Sequence, residues 1–565
     1  MQHFNRILFF SFCVLFAFNN DLLSQPERRF VAEWEPAWGT LIRWPLGIPS
    51  DLVVELAKDD SLYVLVASYS QRDQAINTFT SWGVNLSHCR FLFAPTNSHW
   101  TRDWGPHYIF NEDGVAGIAD PVFDGYPWVP GCNIKINTVA ESDSWRSGSK
   151  GYEDDDAVNI ILADSFNCPL ISLPVYLTGG NVMVDGRRTA ISTQQMLDEN
   201  FPGISASDFL QIAEDSLGIT NYIIVDNPEV NGIQHIDCYA KFLDERTILV
   251  KEVDSWNPEY ACCEALADHL GNELNCYGEP YHIIRIYCGV YSGSKVAAYT
   301  NSLILNKKVL VPLFGISSDT AALQTYLQAM PGYEVIGFQW GSWYYYDALH
   351  CRTMGIFDRY MLRIEHKPLQ GEEFFTDIVY ITAVFDDRSE AGLNEEELKL
   401  HWREEGTPYW NQIPFYATIV ADSFFSYIPA PVIGTSYEYY ISAADYSGRN
   451  ETLPRTAPEG FFTFTVSGIT TPVHPVSSNL SFTIQPSVFS SQTIISFDHA
   501  GSEARLTIWS ASGKKIREWN LRNSQTATIL WDGTNQQGRI IPGGLYIVSL
   551  ETETGTEVKK CILSR

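Results

Sequence analysis

The sequence "HIDCYAKFLDERTILV" (residues 235–250) contains the pattern that organises the first part of the chain. Polar residues open it, an apolar run follows, and the turn "DER" leads into a second apolar run, which is typical of a β-hairpin. The pattern recurs imperfectly in "RDWGPHYIFNEDGVAGI" (102–118), "GGNVMVDGRRTAI" (179–191) and "YTNSLILNKKVLVPLF" (299–314). We therefore predict a repeated hairpin unit.

Apolar residues recur at helical spacing between these hairpins. Helices are predicted at 51–59, 72–83, 205–218, 260–271 and 318–330. Short apolar runs such as "YVLVASY" and "NYIIVD" alternate with the helices, so we predict an α/β domain of repeated units. Pseudo-symmetry would gather around one axis the polar residues that open the hairpins, which are Asp103, Asn181, His235, Asp237 and Asn301.

The pattern changes after about residue 360, where helical spacing gives way to alternating runs such as "DIVYITAVFDD" and "SYEYYISAADYSG". This is typical of an immunoglobulin-like β-sandwich. A Ser/Thr/Pro-rich segment separates it from a last all-β module. We predict a signal peptide (1–24), an α/β domain (25–357), the β-sandwich (358–468), a linker (469–480) and a C-terminal β-sandwich module (481–565).

Composition limits the classes of partner. Lys and Arg number 38 against 67 Asp and Glu, a net charge of −29, which disfavours nucleic acid and anionic lipid. The apolar stretch "ILFFSFCVLFAF" (7–18) follows Arg6 and is too short to span a bilayer, so it indicates a signal peptide and no transmembrane segment. The cysteine spacing matches neither a disulfide scaffold nor a metal site.

Four residues suggest a specific chemistry. Asp103 and Asp237 suit a planar cation with paired N–H donors, such as a guanidinium. On a strand, His235 and Asp237 would point to the same face, and the imidazole could act as general acid and base. Cys351, in "ALHCRTMGI" (348–356), could then attack the carbon between the carboxylates. Each residue also has a structural interpretation, as a turn cap, a surface pair or a buried thiol.

Six stretches, in order, resemble the motifs of the agmatine deiminase and Porphyromonas-type peptidylarginine deiminase family. They are "AEWEPAWGTLIRWP" (32–45), "WTRDWGP" (100–106), "GGN" (179–181), "HIDCYAKFLD" (235–244), "YTNSLILNKKVLVP" (299–312) and "LHCRTMGI" (349–356). The resemblance implies the pentein fold, a five-bladed α/β-propeller, and guanidine deimination through a covalent thiouronium without metal or cofactor.

The resemblance also implies roles for individual residues. Asp103 and Asp237 would hold the guanidinium, His235 would be the acid and base, Cys351 the nucleophile, and Asn301 would order the site. Trp100 would form a wall beside the substrate cation, which is consistent with cation–π attraction, unless it only packs in the core.

The whole layout resembles secreted peptidylarginine deiminases more than the compact cytoplasmic agmatine enzymes. The last module resembles the sorting domains of type IX secretion substrates, which implies a partner in that machinery and a secreted or outer-membrane-attached product. Arginine-containing peptides or proteins are the expected substrates. Agmatine or free arginine as substrate, an amidinotransferase, and an inactive secreted adhesin on the same fold are the alternatives.

One stretch departs from the family. Peptidylarginine deiminases of this type carry two arginines after the "RDWGP" hairpin that clamp the substrate's terminal carboxylate, whereas "DPVFDGYPWVPGC" (120–132) has none. We expect Tyr126 and Trp128, beside Asp124, to line this part of the substrate site. Arg146 is the candidate for replacing the clamp from a neighbouring loop.

Overall fold

A computed structural model describes most of the chain. The described residues are 28–132, 151–374, 378–418, 422–467, 481–486, 488–489, 492–498, 503–510, 514–522, 526–542, 544–552 and 555–563. They form two compact units, one up to residue 467 and one from residue 481. The predicted signal peptide and linker lie outside the described residues, and the predicted domain boundaries stay predictions.

Five small sheets in residues 29–357 share one plan. Each contains an antiparallel pair of strands, one of which also has a parallel partner. The antiparallel pairs are His107–Phe110 with Ala116–Val122, Met183–Val184 with Thr189–Thr193, Ala240–Phe242 with Thr247–Glu252, Leu303–Leu305 with Lys308–Leu313, and Met354–Phe357 with Ala37–Arg43. The parallel partners are, in the same order, Leu170–Tyr176, Asn221–Val225, His282–Tyr287, Glu334–Gln339 and Ser61–Val66. The four predicted hairpins are thereby confirmed.

A helix precedes each parallel partner, because two parallel strands need a long crossover between them. These helices are Ser50–Leu56, Val158–Phe166, Ala206–Leu217, Tyr260–Asn272 and Ser318–Ala329, and Tyr69–Trp82 leads to a further parallel strand, Cys89–Phe93. The five helices predicted from the sequence are all present. The α/β class is therefore confirmed for this region.

The helix Ala206–Leu217 illustrates how the sequence sets these elements. The Ser205 hydroxyl accepts a hydrogen bond from the Asp208 N–H at its start, and Gly218 ends it with φ 73°, a conformation that favours glycine. Phe209, Ala213 and Leu217 recur every four residues and are buried. Their spacing places one apolar stripe against the sheet.

The last strand of this region shares a sheet with a strand near its start. Met354–Phe357 pairs antiparallel with Ala37–Arg43, and Ser61–Val66 and Cys89–Phe93 continue that sheet. No single closed sheet joins all five among the described residues. Shorter elements include Arg29–Phe30, Val129–Pro130, Glu153–Asp156, Gln195–Asp198, Asn231–Gly232, Val290–Ser292 and Lys295–Val296.

Two β-sheets follow residue 357. One contains Leu362–Glu365, Ile378–Asp387, Ser423–Pro429 and Tyr416–Ala417, and the other contains Gly371–Phe374, Phe462–Ser467, Ser436–Ala444, Lys399–Glu404, Asn411–Pro414 and Asn450–Leu453. Alternate residues such as Val379, Ile381 and Phe385 meet Tyr439 and Phe464 in one buried cluster, which explains the alternating pattern. The immunoglobulin-like assignment of this β-rich region stays a prediction.

The second unit also contains two sheets. Its strands are Ser481–Gln485, Thr493–Asp498 and Thr526–Trp531 in one sheet, and Val488–Phe489, Gly555–Leu563, Gly544–Thr552, Glu503–Ser510 and Lys515–Arg522 in the other. Trp531, Leu506 and Val548 are fully buried between them. Over the part of the chain that the structure describes, no helix is long and apolar enough to cross a membrane.

Candidate active site

The predicted site residues lie on short turns that come just before strands. Asp103 lies on Thr101–Trp104, Asp237 on Ile236–Cys238 and Cys351 on His350–Arg352. Asn301 closes a similar bend, where its N–H donates to the Ala298 carbonyl at 3.1 Å. The predicted convergence is observed, because these turns meet at one place.

One local interpretation was wrong. His235 and Asp237 were placed on one face of a strand, but the backbone curls into a 3-10 turn and the strand begins only at Ala240. The Tyr239 N–H donates back to the Ile236 carbonyl at 2.9 Å, which produces this turn. The turn still brings both side chains into the site.

Asp103 is buried and anchored through both carboxylate oxygens. Its Oδ2 accepts from the Tyr126 hydroxyl at 2.7 Å, and its Oδ1 accepts from the Gly180 N–H at 3.0 Å. Burial raises the pKa of Asp103 well above its usual value and the charge of Asp237 raises it further, against these hydrogen bonds. Asp103 therefore favours its neutral form.

The pKa of Asp237 is shifted in the opposite direction, downward. Its Oδ2 lies 2.8 Å from His350 Nδ1, whereas its Oδ1 is buried and has no hydrogen-bond partner among the described residues. Burial favours the neutral acid, but the hydrogen bond and charge of His350 outweigh burial and hold the pKa of Asp237 below its usual value. Asp237 is thus a carboxylate with one acceptor oxygen still available.

Behind Asp237, Glu33 connects the elements that carry the site. It lies 2.5 Å from His350 Nε2, 2.8 Å from Lys241 Nζ and 3.2 Å from Arg102 Nη2, and it accepts from the Ile304 N–H at 2.8 Å. Each partner is close in sequence to one site residue. His350 precedes Cys351 and Arg102 precedes Asp103, while Lys241 follows Asp237 and Ile304 follows Asn301. Glu33 therefore ties the four turns together.

His235 lies beside the two carboxylates. Its Nδ1 is 3.7 Å from Asp103 Oδ1, beyond hydrogen-bond distance. Burial lowers the pKa of His235 to about 4, although the charge of Asp237 favours protonation. The imidazole is therefore neutral near pH 7 and able to accept a proton.

The Cys351 thiol is 1% exposed and faces Asn301 and Asp237. Asn301 Nδ2 donates to Cys351 Sγ at 3.2 Å and to Cys238 Sγ at 3.5 Å, while its Oδ1 accepts from the His350 N–H at 2.9 Å. Cys351 Sγ lies 3.6 Å from Asp237 Oδ2. Asn301 thus holds the turn that carries the thiol, and its role in the reaction stays a prediction.

The Cys351 thiol favours its protonated form. Burial raises the pKa of Cys351 to about 12, the hydrogen bond with Cys238 opposes that rise, and the charge of Asp237 adds to it. A cation bound between the carboxylates would reverse this balance, because it favours both a thiolate and an ionised Asp103.

Aromatic side chains line one side of the carboxylates. The rings of Trp100 and Tyr126 meet edge to face with centroids 5.0 Å apart, and Tyr126 lies 5.9 Å from the His235 ring. Trp128 is 44% exposed and packs edge-on against Tyr346, 5.2 Å away. Trp100 and Tyr126 therefore lie beside the carboxylates, and Tyr126 also positions Asp103. Trp128 contacts Tyr346, whose carbonyl lies 4.0 Å from Cys351 Sγ. The substrate-binding roles of the three aromatics stay predictions.

The segment that carries these aromatics ends at a disulfide. Cys132 and Cys262 are joined although 130 residues separate them in the sequence. Cys132 N–H also donates to the Asn227 carbonyl at 2.8 Å. Arg146, the candidate for a replacement clamp, lies outside the described residues.

Sequence reasoning did not assign roles to Glu33, His350 and Cys238. All three lie inside the motifs that resemble the family, and this position was the one sign in the sequence that they have a role in the site. Their contacts join residues as far apart as positions 33 and 350, so the local pattern contained no information about them.

A buried thiol, a neutral imidazole and two carboxylates with opposite pKa shifts define an enzyme site of the cysteine-dependent class that acts on a cationic carbon–nitrogen group. The family model described as Porphyromonas-type peptidyl-arginine deiminase matches residues 29–356. The chain belongs to this family, whose members are hydrolases acting on the C–N bonds of amidines.

The chain is also similar to individual deiminases and to their solved structures. A Shewanella baltica protein assigned as an agmatine deiminase is 25% identical over 290 residues, which cover 44% of this chain and 71% of the relative. The structure of an agmatine deiminase from Enterococcus faecalis covers 60% of this chain and 98% of its own with a TM-score of 0.50 and 19% identity. A Porphyromonas gingivalis structure assigned as an arginine deiminase has a TM-score of 0.48 and 22% identity, with 59% and 99% covered. The similarity to the Enterococcus faecalis structure supports the pentein-type deiminase fold of the α/β region.

Proposed function

We propose that the protein hydrolyses the guanidinium of arginine side chains to citrulline and ammonia. The observation that carries this proposal is the buried Oδ1 of Asp237, which has no hydrogen-bond partner within the described part of the chain, beside a thiol that lies 3.6 Å from Oδ2 of the same carboxylate. A guanidinium N–H bonded to Asp237, with a second pair of N–H groups on Asp103, places the central carbon next to Cys351 Sγ.

The first half of the reaction begins when the substrate cation enters. Its charge lowers the pKa of Cys351 and of Asp103, so the thiol passes its proton to His235 and the thiolate attacks the guanidinium carbon. His235 lies on the same side as Asp103 and delivers a proton to the departing nitrogen. The C–N bond breaks, ammonia leaves and a thiouronium bonded to Cys351 remains.

Water completes the reaction in the second half. His235, again neutral, removes a proton from water, the oxygen attacks the thiouronium carbon and the C–S bond breaks. The sulfur takes up the proton of the newly added hydroxyl, His235 releases its proton to solvent, and the product carries a neutral ureido group. Because that group has lost the positive charge, Asp103 and Asp237 no longer hold it and the product leaves.

We propose further that the five sheets of residues 29–357 are the blades of a five-bladed α/β-propeller. The common plan of each sheet and the pairing of Ala37–Arg43 with Met354–Phe357 support this arrangement. In such a ring the turns before the hairpins all point to the axis, where Glu33 ties them together.

Peptidyl arginine is the proposed substrate class, and the protein is proposed to act outside the cell or attached to the outer membrane. The family description supports the first point, and the apolar stretch 7–18 and the separate C-terminal unit support the second. Agmatine is the second candidate, favoured by the relatives named for that activity.

The test is a substrate panel with ureido-group detection. Agmatine, free arginine, a peptide with an internal arginine and a peptide ending in arginine are each offered to the wild type and to Cys351→Ala, with Cys89→Ala as the control for a buried thiol elsewhere. We expect ammonia and citrulline from a peptide, no product with Cys351→Ala, and normal turnover with Cys89→Ala. Turnover of agmatine alone would reassign the substrate, and no turnover of any guanidine would refute the proposal.

A further inference from the structure

A second thiol lies beside the proposed nucleophile, and the proposed reaction does not use it. Cys238 is 2% exposed, and its sulfur, the sulfur of Cys351 and a carboxylate oxygen of Asp237 all lie within 4.8 Å of one another. The Asn301 amide nitrogen approaches both sulfurs, at 3.5 and 3.2 Å. The three groups converge on one small volume.

Their chemistry and spacing match a metal ion that prefers sulfur. Zinc binds thiolates at about 2.3 Å and carboxylates at about 2.0–2.2 Å in a tetrahedron, which puts a sulfur and an oxygen ligand about 3.5 Å apart. Cys351 Sγ and Asp237 Oδ2 are 3.6 Å apart. Two thiolates also select zinc over magnesium or calcium, which prefer oxygen ligands.

The Asp237 carboxylate can accept a further ligand. Asp237 uses Oδ2 to hold His350, while the buried Oδ1 has no hydrogen-bond partner among the described residues. The oxygen 3.6 Å from Cys351 Sγ is Oδ2, and a carboxylate oxygen has two lone pairs, so Oδ2 can bind the ion and keep its contact with His350, with Oδ1 as a second available acceptor. The site needs no rearrangement of the Glu33 and His350 pair.

We propose that Cys238, Cys351 and Asp237 form an inhibitory site for a thiophilic divalent metal ion, with zinc as the fitting ion. Binding replaces the two thiol protons, which pass to solvent, and a water molecule completes the tetrahedron. The bound ion occupies the nucleophile and one carboxylate that the guanidinium needs. Inhibition is then competitive with substrate, a consequence that rests on the proposed function.

Metal binding can be measured without turnover. Co²⁺ is added to the purified full-length protein, and the near-ultraviolet sulfur-to-cobalt absorption is recorded for the wild type, Cys238→Ala, Cys351→Ala and Cys89→Ala. We expect a saturable band in the wild type and in Cys89→Ala, displaced by an equivalent of Zn²⁺, and a band reduced by about half or lost in the other two variants. An equal band in the wild type and in Cys238→Ala would overturn the site.

Inhibition tests the functional consequence. The wild type, Cys238→Ala and Cys89→Ala are each compared with their own rate in the presence of a chelator, and the Zn²⁺ concentration that halves kcat/KM is measured. We expect that concentration to rise at least tenfold in Cys238→Ala and to stay unchanged in Cys89→Ala. Equal sensitivity of Cys238→Ala and the wild type contradicts the proposal. A cobalt band in a protein that turns over no guanidine refutes the proposed function and leaves the metal site standing.

Discussion

His350 joins the carboxylates of Glu33 and Asp237 through its two ring nitrogens, at 2.5 Å and 2.8 Å. The residue that follows His350 in the chain is the proposed nucleophile. The orientation of the imidazole therefore fixes both the Asp237 oxygen that remains for substrate and the turn that carries Cys351. Glu33 sets that orientation without touching the reacting atoms, as second-layer partners do in other sites.

Replacing Glu33 with Gln should lower kcat/KM about 10- to 100-fold. The change removes a charged acceptor of His350, and a hydrogen bond to a charged group contributes about 1.5–3 kcal/mol. It also leaves Lys241 without its carboxylate partner, so a lower melting temperature is expected. Steady-state kinetics and thermal unfolding measure the two effects.

Glu35→Gln is the matched control. Glu35 is a buried carboxylate two residues further on, but it pairs with Arg29 and Arg363 and has no contact with His350. We expect it to lower the melting temperature while kcat/KM stays within about threefold of the wild type. A similar loss of activity in both variants would mean that Glu33 acts only through stability.

Asp237→Asn should reduce kcat/KM at least about hundredfold. The amide loses the charge and presents a donor to the N–H donors of the guanidinium, which removes charge-assisted bonds of about 1.5–3 kcal/mol each. Ureido product formation from the best panel substrate measures the effect. Activity within a few-fold of wild type would indicate that Asp237 serves only to orient its histidine neighbours.

The sequence predicted the elements well and the contacts between them poorly. Hairpins, helices and the gathering of Asp103, Asp237 and Asn301 followed from local periodicity and equivalent placement in each repeat, whereas Cys351 was added from its chemistry and the family resemblance. The 3-10 turn at Ile236–Cys238 did not, because two-residue spacing fits a strand equally well.

Contacts between residues far apart in the sequence could not be predicted from local sequence patterns, for a physical reason. The Cys132–Cys262 disulfide and the contact of Glu33 with His350 depend on how distant segments meet, and one sequence contains no direct record of that meeting. The opposite pKa shifts of Asp103 and Asp237 could not be predicted from the sequence either, because they arise from burial and from the contact of Asp237 with one histidine.

The raised thiol pKa predicts how Cys351 reacts with electrophiles of different charge. Since the pKa of Cys351 in the empty site is about 12, its thiolate fraction should rise about tenfold per pH unit between pH 7 and 9. Labelling by neutral chloroacetamide should follow that rise without a plateau. Labelling by the cationic chloroacetamidine should be at least about tenfold faster at pH 7, because the bound cation favours the thiolate.

Mass spectrometry of the Cys351 peptide measures both rates, and Asp237→Asn is the control, in which the preference for the cation should fall. A plateau below pH 8 with the neutral reagent would show that the thiolate exists before substrate binds. The proposed activation by the substrate cation would then be wrong.

Deletion from Asn479 onward should leave kcat/KM of the purified protein unchanged and abolish export. The deleted residues include the separate compact unit from residue 481, while Glu33, Asp103, Asp237 and Cys351 all belong to the other unit. Activity of the purified variant and its distribution between cells and medium are the measurements. A truncated protein still found outside the cell would contradict the sorting role.

The last prediction concerns discrimination between C-terminal and internal arginine. Residues 120–132 contain no arginine, and Tyr126 is already engaged with Asp103. A terminal carboxylate next to Trp128 would therefore meet an exposed aromatic ring in place of guanidinium donors, without charge-assisted bonds of about 1.5–3 kcal/mol each.

We therefore expect kcat/KM for a peptide ending in arginine to stay within about tenfold of the value for the same peptide amidated, a difference below about 1.4 kcal/mol. The amidated peptide is the matched control because it differs only in the charge that a clamp would recognise. A preference for the free acid above about tenfold would establish a carboxylate clamp. Repeating the pair of assays with Arg146→Gln would then decide the source, because loss of that preference assigns the clamp to Arg146 and its persistence assigns it to another cation.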